Sequence, residues 1–143
     1  LGGSKGSYWL LNLEKEINYL GLNDRIQILS EVKDTSMFYN AIDLYISTAR
    51  EEPFGLTLLE AGTYKIPCFA FEKSGGPEEI LNNETGVIIP YGDYNKASEK
   101  IIELKQNAKV FEKYSKAIHK FSEDNLEEDN FSKYQKLINL YSK

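Results

Sequence analysis

The residues of this chain best placed to do chemistry lie in Glu51-Glu52-Pro53-Phe54-Gly55-Leu56-Thr57-Leu58-Leu59-Glu60-Ala61. Two carboxylates, Glu52 and Glu60, stand eight positions apart. Between them a Pro-Phe-Gly turn runs into a leucine-rich, helix-forming segment, an arrangement that an ordinary amphipathic helix does not need. A turn that opens directly into a helix leaves backbone N–H groups free at the helix start, and these attract an anion such as a phosphate. Gly55 lets that anion come close to the backbone. A carboxylate on either side can hold sugar hydroxyls. Together these features suggest a site for a sugar joined to a phosphate.

Those residues must be positioned by a fold, and the hydrophobic pattern predicts one. A helix is expected over 8–20, with Leu10, Leu13, Ile17 and Leu20 at helical spacing and Gly21 as its stop. A short strand is expected at Ile26-Gln27-Ile28-Leu29, a short helix over 35–41, and a strand at Asp43-Leu44-Tyr45-Ile46-Ser47 that is apolar enough to be buried on both faces. The helix of the signature segment is expected over 56–65. Ile66-Pro67-Cys68-Phe69-Ala70-Phe71 reads as the next strand, with Pro67 near its start, where a missing donor is tolerated. Ser74-Gly75-Gly76-Pro77 reads as a glycine loop opening a short helix with proline in its first turn. Gly86-Val87-Ile88-Ile89-Pro90 reads as a further strand, and helices are expected over 94–106, 109–121 and 130–142. Strands alternating with helices predict an α/β fold: a Rossmann-like parallel sheet flanked by helices, with ligands at the carboxyl ends of its strands. Three glycine-bearing loops should gather there: Gly2-Gly3, Pro53-Phe54-Gly55 and Gly75-Gly76. The first strand of such a sheet is expected to lie ahead of Leu1.

Composition narrows the function classes. A chain of 143 residues fits one domain, spanning 1–143. A net charge of −5 with no basic block argues against a nucleic-acid surface, which needs clustered Lys and Arg to displace counterions. The single cysteine, Cys68, excludes an intrachain disulfide and reads as core packing in a reducing compartment. No apolar run is as long as a membrane span and no signal peptide opens the chain, so a cytoplasmic protein is expected. Peripheral attachment of a larger parent to the inner face of the membrane is compatible with this. No metal-ligand cluster is visible, and the acidic run Glu123-Asp124 with Glu127-Glu128-Asp129 lacks the spacing and glycine of a calcium loop. His119 and the tyrosines at helical spacing read as surface and packing residues.

The series of motifs from about Leu20 to Ile102 resembles the C-terminal domain of the retaining glycosyltransferases of family 4 (glycosyl transferases group 1), which have the two-domain GT-B fold. The resemblance rests on Leu20-Gly21-Leu22-Asn23-Asp24-Arg25-Ile26, Tyr39-Asn40-Ala41-Ile42-Asp43-Leu44-Tyr45-Ile46, the Glu52 to Ala61 segment, Ile66-Pro67-Cys68, Gly75-Gly76-Pro77-Glu78-Glu79 and Gly86-Val87-Ile88-Ile89-Pro90. It implies a domain that binds a nucleotide-sugar donor, with no cofactor and no metal, in an enzyme of polysaccharide or glycan synthesis. Glu52 would contact hydroxyls of the transferred sugar and orient it near the reacting carbon. Phe54, Gly55, Leu56 and Thr57 would present backbone N–H groups to the sugar and diphosphate. Glu60 would accept hydrogen bonds from the ribose hydroxyls. The segment with Ser30, Glu31 and Val32 would lie against the base. Gly3, Gly75 and Gly76 would keep the site open for close backbone approach.

Two departures from the family pattern stand out. The Arg and Lys that neutralise the leaving diphosphate would precede Leu1, as would the acceptor-binding N-terminal domain, so the chain reads as an excised donor domain and a poor catalyst alone. The glycine usual near the base is Ser30 here. A non-catalytic nucleotide-sugar-binding module, or a GT-B-like epimerase or phosphorylase, is the alternative reading.

Overall fold

The computed structural model describes residues 8–29 and 32–126. The chain divides between Phe38 and Tyr39 into two compact units.

The first unit is organised by helix α1, Tyr8–Tyr19. Its end follows the sequence closely. The Leu22 amide donates back to Ile17 O at 2.9 Å and the Gly21 amide to Asn18 O at 3.1 Å, with Gly21 at φ 65°. That pair of bonds is the Schellman closure, which wants a residue tolerant of left-handed backbone at this position. The strand expected at Ile26 to Leu29 does not form. The Arg25 and Ile26 amides both turn back to Leu22 O, so the chain is still in a turn there. Ile26, Ile28 and Leu29 stay exposed, and no strand pairs with them among the described residues. Apolar character alone does not make a strand without a ladder partner. Helix α2, Thr35–Tyr39, opens at Asp34, whose carboxylate accepts from the Ser36 amide at 3.0 Å. The Ser36 hydrogen bonds hold the Asp34 carboxyl below its usual range.

The second unit carries a parallel sheet in the order β1 (Tyr45–Ser47), β2 (Cys68–Phe71), β3 (Val87–Ile89). Tyr45 pairs with Cys68 and Phe69 with Val87 in register. The central strand β2 is buried along its whole length. Pro67 sits just ahead of it and offers only its carbonyl, which takes the Tyr45 amide at 3.0 Å. The connecting helices are α3 (Leu56–Thr63) and α4 (Pro77–Ile80), followed by α5 (Tyr94–Gln106) and α6 (Ala108–Leu126). Asp93 caps α5 by accepting from the Lys96 amide at 3.0 Å. Phe69, Phe71, Ile89 and Leu104 form a core against which Ala97, Ile101, Val110 and Phe111 pack.

Helix α6 packs on both α5 and α3. It runs five residues beyond the predicted end at Phe121, because nothing in Ser122 to Leu126 breaks a helix and Glu123 and Asp124 face solvent. The predicted helix over 130–142 lies outside the described residues. Among the described residues, no helix is long and apolar enough to cross a membrane and no cluster of metal-ligating side chains occurs.

Cys68 is fully buried, with its Sγ 3.3 Å from Ile66 O, and burial pushes its thiol from 9.0 to about 12. The folded thiol therefore stays neutral where the unfolded one ionises, and its contribution to stability is lost as pH rises from about 9 toward 12. At pH 8 the native protein should resist iodoacetamide and label fully only once denatured. Intact mass before and after unfolding reads this, and rapid native labelling would show that the strand is not packed as described.

Candidate functional site

Because β1 and β2 are parallel and in register, the loops that leave them start at the same sheet edge. Ser47 lies beside Ala70 at that edge. The two loops then join. The Glu52 amide donates to Ser74 O at 2.7 Å, and the Gly76 amide donates to Glu52 O at 2.8 Å, forming a short parallel bridge between Glu52 and Gly75. Two of the three glycine loops expected at the carboxyl edge meet here, and Gly2-Gly3 lies outside the described residues. The space the glycines leave is filled by the protein's own backbone. A Cβ on Gly75 would meet Glu52 O at 3.0 Å, and one on Gly76 would meet Phe54 backbone atoms at 2.5 to 2.8 Å.

This seam fixes the backbone of Glu52, and its side chain turns into the start of α3. Glu52 Oε1 accepts from the Gly55 amide at 2.9 Å, with the Phe54 amide at 3.4 Å. Gly55 is buried at φ 72°, with Ile80 and Leu58 side chains against it, so only glycine closes this turn without strain. Of the four amides expected to face a ligand, two thus point to Glu52. The Leu56 and Thr57 amides open the helix with no acceptor among the described residues. Phe54 and Leu56 leave an apolar rim beside them, 74% and 55% exposed.

Thr57 and Glu60 are one turn apart on α3 and so share a face. Glu60 is exposed, and its Oε2 accepts from the Tyr39 hydroxyl at 2.9 Å. Tyr39 itself is buried, stacked on Tyr64 with ring centroids 5.3 Å apart, and 6.3 Å from the Tyr45 ring. Burial, then the Glu60 carboxylate, push the Tyr39 phenol well above its ordinary range. Burial raises Tyr45 as well, partly offset by a hydrogen bond with Thr57. Both phenols therefore stay protonated at neutral pH. The link from Tyr39 to Glu60 is not among the roles that the sequence pattern assigns. A signal was present only in that Tyr39 precedes the strand whose next loop carries the motif.

A hollow of about 590 Å³ opens past the ends of all three strands, lined by Arg50, Glu72, Lys73 and Tyr91. Neither cation was singled out in the sequence. Lys73 is held at φ 63° with its amide on Glu78 Oε1 at 3.0 Å. Val32 lies in the first unit and is 38% exposed. Gly3, Ser30 and Glu31 lie outside the described residues. His119 joins α6 to α3 through Gly62 O at 3.2 Å and neighbours Glu123 at 3.3 Å, which is a structural role.

The chain is 29% identical over 91 residues to the capsular polysaccharide biosynthesis glycosyltransferase CapM of Staphylococcus aureus, covering 64% of this chain and 24% of CapM. It is 36% identical over 81 residues to the lipopolysaccharide core biosynthesis mannosyltransferase LpcC of Rhizobium leguminosarum bv. viciae, covering 57% and 23%. The chain thus spans about a quarter of the length of these relatives. Among solved structures, Anabaena Alr3699/HepE in complex with UDP-glucose superposes with a TM-score of 0.84 at 22% identity, covering 98% of this chain and 38% of that one. The fold is therefore that of the GT-B glycosyltransferases. The model of the family Glycosyl transferases group 1 matches residues 3–121, and the chain belongs to that family.

Proposed function

We propose that this chain is the C-terminal, donor-binding domain of a retaining glycosyltransferase of family 4. The parent enzyme transfers a hexosyl unit from a nucleoside diphosphate sugar to a hydroxyl acceptor during polysaccharide or glycan synthesis. It works in the cytoplasm, with a second domain holding the acceptor. The observation that carries this reading is the seam itself. Two loops from neighbouring strands lock Glu52 over the start of α3, two first-turn amides stay open, and Glu60 follows on the same helix. Relatives in capsule and lipopolysaccharide synthesis and the UDP-glucose held by Anabaena HepE support the substrate class.

In this reading the Leu56 and Thr57 amides and the helix dipole hold the diphosphate. Glu60 receives the ribose hydroxyls, Glu52 faces the transferred sugar, and the Gly75-Gly76 loop borders the donor. No metal and no cofactor are part of the proposal. Titration calorimetry with UDP, GDP and ADP tests it. Glu60→Ala should weaken the bound nucleotide about tenfold to a hundredfold, the scale of losing hydrogen bonds to a charged group. Glu52→Ala should keep most nucleotide affinity yet lower transfer by the parent enzyme about a hundredfold or more. Indistinguishable, negligible effects of the two substitutions would refute the assignment.

A further inference from the structure

On the reading of Glu60 as the ribose acceptor, we infer that Tyr39 is a positioning residue for the donor site, holding one oxygen of the Glu60 carboxylate so that the other is presented to the nucleotide. Glu60 is exposed on α3, and an exposed glutamate side chain ordinarily samples several rotamers. Here Oε2 is fixed by the Tyr39 hydroxyl at 2.9 Å. The same hydroxyl lies 3.4 Å from Thr57 O, but it has one proton to give, and the shorter, charge-assisted bond to the carboxylate takes it.

The donor is well anchored. Tyr39 is 4% exposed, its ring stacks on Tyr64 at an interplanar angle of 24°, and the tilted Tyr45 ring lies 6.3 Å away. Its phenol is kept protonated by burial and by Glu60 itself, so it donates throughout the neutral range. A carboxylate with one oxygen occupied by a rigid donor is pre-organised, and binding then orders fewer rotamers. Tyr64 closes α3, so the clamp and the carboxylate it holds belong to one helix and the segment stacked on it.

Tyr39→Phe keeps the ring and its stack and removes only the hydroxyl. Glu60, being exposed, is then solvated rather than left as a buried unpaired charge, so the thermal midpoint should hold within a few degrees. In the full chain, affinity for whichever of UDP, GDP and ADP binds should fall about tenfold. Affinity for its 2′-deoxy counterpart should fall much less. In a Glu60→Ala background, adding Tyr39→Phe should change nothing further, because the hydroxyl acts through a group already gone. Unchanged affinity in Tyr39→Phe overturns the inference. So does an equal loss for ribose and deoxyribose ligands, or a full further loss in the Glu60→Ala background. If Glu60→Ala alone leaves nucleotide affinity intact, the ribose reading has failed, which is a different outcome from an ineffective Tyr39→Phe.

Discussion

Gly76→Ala is expected to break the seam that builds the site, with a loss of about 3 kcal/mol of stability and nucleotide binding reduced beyond what that loss explains. The added methyl would stand 2.5 Å from Phe54 C, 2.7 Å from its Cα and 2.8 Å from its N. These are backbone atoms on a loop already tied by the Glu52 amide to Ser74 O, so no side-chain rotation relieves the contact. Backbone conformation is not the obstacle, since Gly76 has φ −47° and ψ −36°, which alanine adopts freely. The cost is steric overpacking alone, which runs to about 1–3 kcal/mol and beyond where relaxation is blocked. Urea denaturation reads the stability and calorimetry the binding. A variant of unchanged stability would show that the two loops are not joined as described.

Gly62→Ala is expected to weaken the packing of α6 on α3 by roughly 2–4 kcal/mol. Alanine in a helix interior normally gains about 1 kcal/mol over glycine, so the sign alone is informative. At Gly62 the methyl would overlap Ser122 Oγ and stand 3.0 Å from both Ile118 Cγ1 and Ile118 O. Ser122 and Ile118 are fully buried. Ser122 also explains why part of this cost is recoverable, because its hydroxyl is buried with no hydrogen-bond partner among the described residues. Ser122→Ala alone should be neutral or stabilising by about 1 kcal/mol. Combined with Gly62→Ala it should restore part of the loss, a non-additive result that sites in contact give and distant sites do not. Additive denaturation midpoints would contradict the contact.

Much of the fold was legible because the deciding interactions are local. Gly21 announced the end of α1 and takes the left-handed backbone that a helix stop requires. Pro67 was read as a strand-start residue and lies there. The alternation of apolar runs with turn residues gave the three parallel strands, and Pro77 opened α4. The reading failed at Ile26 to Leu29, where the apolar residues find no ladder partner among the described residues and the amides of Arg25 and Ile26 stay in a turn. A strand is a property of a pair, and one sequence window shows only half of it.

The site was legible in its residue types and less so in its wiring. Glu52, Gly55 and Glu60 were picked out by spacing, and the structure places all three around α3. Spacing did not show that the Glu52 carboxylate closes its own turn onto Gly55, so that two amides rather than four remain open. Nor did it show that Gly75 and Gly76 admit the Glu52 and Phe54 backbone, or that Tyr39, 21 positions away, would reach Glu60. These contacts depend on chain crossings that bring distant loops together, and nothing in the local pattern encodes them.

The central claim, that the start of α3 between Glu52 and Glu60 holds a nucleoside diphosphate, is tested most directly by following backbone amide resonances of the chain during titration with UDP, GDP and ADP. Saturable shifts that are largest at Leu56 and Thr57, extend to Glu60, and are lost in Glu60→Ala are the predicted result. No saturable shift with any of the three at millimolar concentration, or shifts that leave Leu56, Thr57 and Glu60 untouched, would contradict it.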